Sequence, residues 1–111
     1  MIVVDKTIGN GQFAPNAGVL DFFGAVNGLP GGKRVQMGIA VLPAGDSTPF
    51  SAHEGDEYSF VYSGSLTCFT HDQSFEIPTG GAIFTPGGEE HRSENHSDQD
   101  CICLWIEVDT K

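Results

Sequence analysis

Apolar and polar positions along the chain alternate over short distances, and no stretch sustains the 3.6-residue spacing of an amphipathic helix. Runs rich in β-branched and aromatic residues stand out: VLDFFGAV (19–26), RVQMGIAVL (34–42), EYSFVY (57–62), LTCF (66–69), FEI (75–77), AIFT (82–85) and CICLWIEV (101–108). Turn formers separate them, at GNG (9–11), NGLPGG (27–32), PAGDSTP (43–49), EGD (54–56), SGS (63–65), HDQS (71–74), PTGG (78–81) and PGGEE (86–90). Branched and aromatic side chains suit a pleated, half-buried surface, whereas Gly, Pro, Asn and Asp suit turns. Many short strands between such turns predict an all-β sandwich or barrel.

Strand parity then assigns faces, because alternate residues point to opposite sides of a sheet. Over 57–62, Glu57, Ser59 and Val61 share a small, polar face, while Tyr58, Phe60 and Tyr62 share an aromatic one suited to core packing or a subunit contact. Over 101–108, Cys101, Cys103, Trp105 and Glu107 alternate with Ile102, Leu104, Ile106 and Val108. Both faces of that strand read as covered, as when one lines a cavity and the other packs on a second sheet.

At 111 residues and 11.8 kDa, the chain is the length of one domain, 1–111, with N-terminal strands and loops in 1–33. It is long enough to bury roughly 65% of the surface of its unfolded form. No apolar run approaches the ~20 residues of a membrane span. The N-terminus lacks the basic start and apolar stretch of a secretory signal, so the cytoplasm is the expected location. Three cysteines do not make a disulfide framework. Acidic residues outnumber basic ones 15 to 5, for a formal charge of −10. Nucleic-acid binding depends on Lys and Arg clusters, so that partner class is disfavoured.

The candidate chemistry lies in SAHEGDEYSF (51–60). Pro49, Gly55 and the strand-like run after them argue against a helix. A three-residue turn at Glu54, Gly55 and Asp56 would place His53 opposite Glu57 across two antiparallel strands. An imidazole and a carboxylate so placed can share a cation, and His91 is the leading candidate for a further ligand. Taken singly, each histidine also fits an ordinary hydrogen-bonded role, and spacing alone leaves the choice open.

Two longer patterns resemble the cupin superfamily. In GDSTPFSAHEGDEYSFVYSG (45–64), Gly45, His53, Glu57 and Gly64 stand in register with the first cupin motif, and Ser51 occupies the position of its first histidine. In GGAIFTPGGEEHRSEN (80–95), Gly80, Pro86, Gly88, His91 and Asn95 match the second motif, and residues 65–79 form the short spacer of small cupins. The resemblance implies a double-stranded β-helix, the cupin jelly roll, with His53, Glu57 and His91 holding a divalent transition metal: Fe, Mn, Ni or Zn. Because a serine hydroxyl is a poor ligand for these ions, Ser51 marks either an extra open coordination position or a pocket that has lost its metal.

Cupins include enzymes of several reaction types and non-catalytic binding proteins, and a fold by itself fixes no reaction. The leading expectation is a small metal-dependent enzyme acting on a polar small molecule by isomerase, lyase or cyclase chemistry, with Glu57 and His91 as catalytic residues. The alternatives are a small-molecule-binding cupin like the sensor domains of helix-turn-helix regulators, and an iron-dependent dioxygenase. Ser51, Ser59, Cys103 and Trp105 are candidates for the pocket wall. Homodimerisation through N-terminal strands is expected by the same resemblance. Among the other residues, Cys68 reads as core, and Cys101 and Cys103 as core or a soft-metal pair. His71 and Asp72 read as a surface turn and His96 as solvated, while Arg34 or Arg92 could orient a carboxylate substrate.

Overall fold

The alternation becomes nine strands, and no helix, among the described residues, which in this computed structural model are 1, 12–13, 18–24 and 34–110. In chain order they are β1 (Gln12–Phe13), β2 (Gly18–Phe23), β3 (Val35–Leu42), β4 (Asp56–Ser63), β5 (Leu66–Phe69), β6 (Ser74–Ile77), β7 (Ala82–Thr85), β8 (Arg92–Glu94) and β9 (Cys101–Val108). Six form one sheet in the order β1-β2-β3-β9-β4-β7, and three form a second in the order β6-β5-β8. These antiparallel sheets make the jelly roll. From residue 34 onward, each run expected to be a strand is one. The run at 19–26 is strand through Phe23, and its last two positions, with the turns at 9–11 and 27–32, lie outside the described residues.

Two strands had no apolar signal. β1 is two residues long, and β8 is the polar triplet Arg92, Ser93 and Glu94. Its neighbours define β8: it pairs with β5 on one side, and on the other with an irregular segment carrying the bridges Ser47↔Glu94 and Ser51↔His91. Bonds from Gly45 N to Asn95 O (2.9 Å), Thr48 N to Ser93 O (2.9 Å) and Ser51 N to His91 O (3.0 Å) run along it. The two motif segments are thus laid against each other.

Register stacks the inward side chains of the larger sheet in rows. The first row is Gln36, Glu107, Glu57 and Thr85; the second is Gly38, Trp105, Ser59 and Ile83. Below them come Ala40, Cys103 and Val61, then Leu42 and Cys101. The barrel therefore grades from polar to apolar along its length. At the apolar end Leu42, Val61, Leu66, Ile77 and Cys101 form the buried core, each large aliphatic contributing about 1.5–3 kcal/mol on burial. Asn95, 1% exposed, closes that end, donating from Nδ2 to Leu42 O (2.9 Å) and Gln99 O (2.7 Å) and accepting at Oδ1 from Ser97 N (3.0 Å) and Ser97 Oγ (2.8 Å).

The opposite face of the same sheet is partly covered, as expected, but not by a second sheet among the described residues. The even-numbered side chains of β9 are half-buried, in register with Met37, Ile39 and Val41 and with Tyr58 and Phe60. Tyr58 is 52% exposed and Phe84 54%, with their rings tilted at 5.1 Å. The aromatic parity of 57–62 is therefore a surface feature rather than core.

Candidate metal centre

The polar end of the barrel opens into a cavity of about 360 Å³ between the two sheets. Ser51, His53, Glu57, Ser59, His91, Cys103 and Trp105 all line it, so the residues singled out in the sequence share one chamber. The route by which His53 meets Glu57 differs from the expected hairpin. Residues 52–55 belong to no ladder, and Glu57, in β4, faces Thr85 of β7 and Glu107 of β9. His53 reaches the site from a loop instead, and its Nε2 lies 3.8 Å from Glu57 Oε2. His91 is brought in by its bridge to Ser51, two residues before His53, which sets the two imidazoles edge to face at 5.1 Å.

Close backbone packing holds the His53 loop. Gly88 N donates to His53 O (2.8 Å), and Gly87 N to Asp56 Oδ1 (2.9 Å). A Cβ on Gly87 would stand 2.2 Å from Glu54 O, and one on Gly55 would stand 2.6 Å from Val108 O and 2.9 Å from Glu107 Cγ. No side chain fits at either position without moving backbone. Gly55→Ala is expected to push the loop off β9, costing about 1–3 kcal/mol and displacing His53. A chemical-denaturation midpoint unchanged from wild type would contradict this.

Each histidine has its tautomer set by a backbone carbonyl. His53 Nδ1 donates to Gly55 O (2.8 Å) and His91 Nδ1 to Glu89 O (2.8 Å). The proton on Nδ1 leaves a lone pair on Nε2. His53 Nε2 is buried and has no hydrogen-bond partner. A buried, unpaired acceptor costs about 1–3 kcal/mol, and a cation would relieve that cost. His53, Glu57 and His91 each offer one ligand atom, all within 4.8 Å of one another. Ligands ~2.1 Å from a shared tetrahedral ion stand ~3.4 Å apart, so the set closes on one divalent ion with side-chain movements of about an ångström. The residues fit a metal. Ser51, exposed at the rim, is outside the triad.

Glu107 went unnoticed as part of this group. Its Oε1 lies 3.3 Å from His53 Nδ1, and Gln36 Nε2 donates to its Oε2 (3.2 Å). The signal was present in the parity of 101–108, but only the register of β9 against β3 and β4 gives it a meaning.

The remaining candidates separate. Cys101 belongs to the core, with its sulfur 3.8 Å from that of Cys103, which faces the cavity floor. The Cys101 contact and burial push the Cys103 thiol up, while burial pushes up that of Cys68. His71 is exposed and stacks on Phe50 at 4.3 Å. Arg92 does not line the cavity. It lies over Phe69 and Phe50 and pairs with Glu94, whose carboxyl is held below its usual range by His96 and then by Arg92. Arg34 is exposed at the start of β3 and also lies off the cavity.

A His-Glu-His triad able to hold a metal, at the open end of a small jelly roll, is the arrangement of a cupin, and the Cupin domain family model matches residues 38–107. The chain belongs to that family. Among solved structures it is similar to the polyketide cyclase RemF from Streptomyces resistomycificus, with 23% identity, 97% of this chain and 79% of that one covered, and a TM-score of 0.80. It is also similar to a predicted oxalate decarboxylase from Thermotoga maritima, with 20% identity, 96% and 98% coverage, and a TM-score of 0.81. A Cupin 2 conserved barrel domain protein from Salinispora arenicola matches at 15% identity, 99% and 88% coverage, and a TM-score of 0.76. At these identities the likeness speaks to the fold. A search among curated proteins finds no significant match.

Proposed function

We propose that this protein is a small metal-dependent cupin enzyme acting on a polar small molecule, with His53, Glu57 and His91 holding a divalent transition metal. The observation that carries the reading is the buried, unpartnered Nε2 of His53, aimed at a carboxylate and a second imidazole. A bound ion of this kind supplies Lewis acidity toward a carbonyl or enolate oxygen, the chemistry of isomerases, lyases and cyclases. The chain's own residues do the rest. Ser51, Ser59 and Thr85 offer hydroxyls along the cavity, and Trp105 and Ile83 form apolar wall. Glu57 either ligates the ion or leaves it to act as general base toward a bound substrate, and His91 serves as the second imidazole ligand. The cyclase and decarboxylase names of the structural neighbours are compatible with this chemistry.

The test is metal content. Protein purified without chelator is expected to carry, or to take up, about one equivalent of Zn, Mn, Fe or Ni. Less than about a tenth of an equivalent, with no thermal shift on adding any of the four, would overturn the reading. Ser51 favours a second reading, a metal-free binding module, and that result would support it. Selective loading with iron would favour dioxygenase chemistry.

The outer sheet face supports homodimerisation, since a surface carrying Tyr58, Phe60 and Phe84 beside Leu104 and Ile106 is the kind that copies of a chain cover. The pair Tyr58→Lys and Phe60→Lys is expected to convert a dimer to a monomer in sedimentation. A monomeric wild-type protein at micromolar concentration would refute the dimer. Free thiols at Cys68, Cys101 and Cys103 support a reducing compartment such as the cytoplasm, and the net charge of −10 argues against nucleic acid. No helix among the described residues is long and apolar enough to cross a membrane.

A further inference from the structure

Glu107 occupies a position that sheet energetics disfavour. It stands directly opposite Glu57 in the β4–β9 ladder, and like charges so placed repel. The space between them is taken by His53, whose Nε2 looks toward Glu57 at 3.8 Å and whose Nδ1 looks toward Glu107 at 3.3 Å. Glu107 is also held in place. Gln36, its in-register partner on β3, donates to Oε2, leaving Oε1 for the imidazole. Gly55 lets the loop descend until a Cβ there would meet Glu107 Cγ at 2.9 Å.

We propose that Glu107 is a positioning residue of the metal centre: the Nδ1–H of His53 is given to Gly55 O (2.8 Å), and the Glu107 carboxylate, 3.3 Å from the same nitrogen, adds a negative charge behind the ring that favours this orientation and raises the donor strength of Nε2. This rests on the metal-binding reading above. Glu107 is behind the ring, on the side away from the ligand atom, and is not among the residues lining the cavity. A carboxylate beside the far nitrogen of a ligating histidine increases the basicity of the ring, and losing such an outer partner typically weakens metal binding ~10–100-fold. The two histidines are then unequal. Both Nδ1–H groups go to a backbone carbonyl at 2.8 Å, but only His53 has a carboxylate beside that nitrogen as well, which makes it the stronger donor of the pair.

The test measures Zn(II) and Co(II) affinity by competition with a chromophoric chelator in wild type, Glu107→Gln, His53→Ala and the double variant, alongside the melting temperature of each metal-free protein. Glu107→Gln keeps the shape but removes the charge, and leaves the Nδ1–H bond to Gly55 O untouched. Its affinity is expected to fall ~10–100-fold, while the metal-free protein melts at the same temperature or higher, because the repulsion with Glu57 is gone. A purely structural role would not give these opposite signs. In the His53→Ala background the same substitution is expected to change affinity less than about threefold, the mark of coupled sites. Wild-type affinity in Glu107→Gln overturns the inference and leaves the metal reading standing, as does an equal loss with and without His53. Failure of the wild type to bind either ion overturns both. Should Glu107→Gln melt lower when metal-free, Gln36→Leu, which leaves the charge but frees the carboxylate, decides: a weaker affinity upholds the inference and an unchanged one overturns it.

Discussion

His91→Ala is expected to bind Zn(II) more than ~100-fold more weakly than the wild type, since loss of a direct ligand costs more than the ~10–100-fold of an outer partner. The fold should survive. His91 is half-buried, and its structural part is played by its backbone, which exchanges both bonds with Ser51 at 3.0 Å regardless of the side chain. The metal-free variant is therefore expected to melt within a few degrees of wild type while its metal response disappears. With only His53 and Glu57 left, the ion keeps two protein ligands, fewer than structural or catalytic sites of this type use. His71→Ala is the control, because that ring is exposed and stacks on Phe50 away from the cavity. Equal affinity in His91→Ala and wild type, by calorimetry or chelator competition, would place any bound metal elsewhere.

Asn95→Ala is expected to cost the most stability of any change considered, about 3 kcal/mol, by leaving several groups at the closed end of the barrel unpaired. One side chain satisfies Leu42 O and Gln99 O with its amide hydrogens and takes Ser97 N and Oγ on its oxygen. Its backbone also bonds Asp46 and Gly45, pinning the start of the first motif to the end of the second. At 1% exposure, water cannot easily replace these partners. For a chain of this size the loss corresponds to a fall in melting temperature of roughly 10–15 °C. Asn95→Asp separates shape from hydrogen bonding: it keeps the acceptor for Ser97 but sets a carboxylate oxygen against Leu42 O and Gln99 O, and a loss of similar size is expected. A fall of under about 3 °C in Asn95→Ala would show that these bonds contribute little net stability.

The positions that were legible and those that were not differ in a physical way. Strands such as 35–42, 66–69 and 101–108 announced themselves because their side chains pack on the pleat they create. β8 was invisible because nothing in Arg-Ser-Glu favours a strand, and its backbone is extended only because β5 and the 45–51 segment flank it. The expected hairpin through Glu54 to Asp56 failed for a related reason. The turn chemistry at Gly55 is real, but the glycine serves a close approach to Val108 and Glu107 rather than a two-strand reversal. Arg92 could not be placed from parity alone, and its outward position is set by pairing with Phe69 across β5 and β8.

By itself the sequence determined the all-β class, most strands, the cupin resemblance and the candidate ligands His53, Glu57 and His91, because these depend on local alternation, turn chemistry and motif spacing. Tertiary structure alone decided which atoms meet. Cross-strand register sets Glu107 against Glu57 and Gln36, the Ser51–His91 bridge brings the imidazoles together, and the sheet's outer face leaves Tyr58 and Phe84 in solvent. Such contacts join residues far apart in the chain, and their geometry follows from pairing that no local pattern encodes.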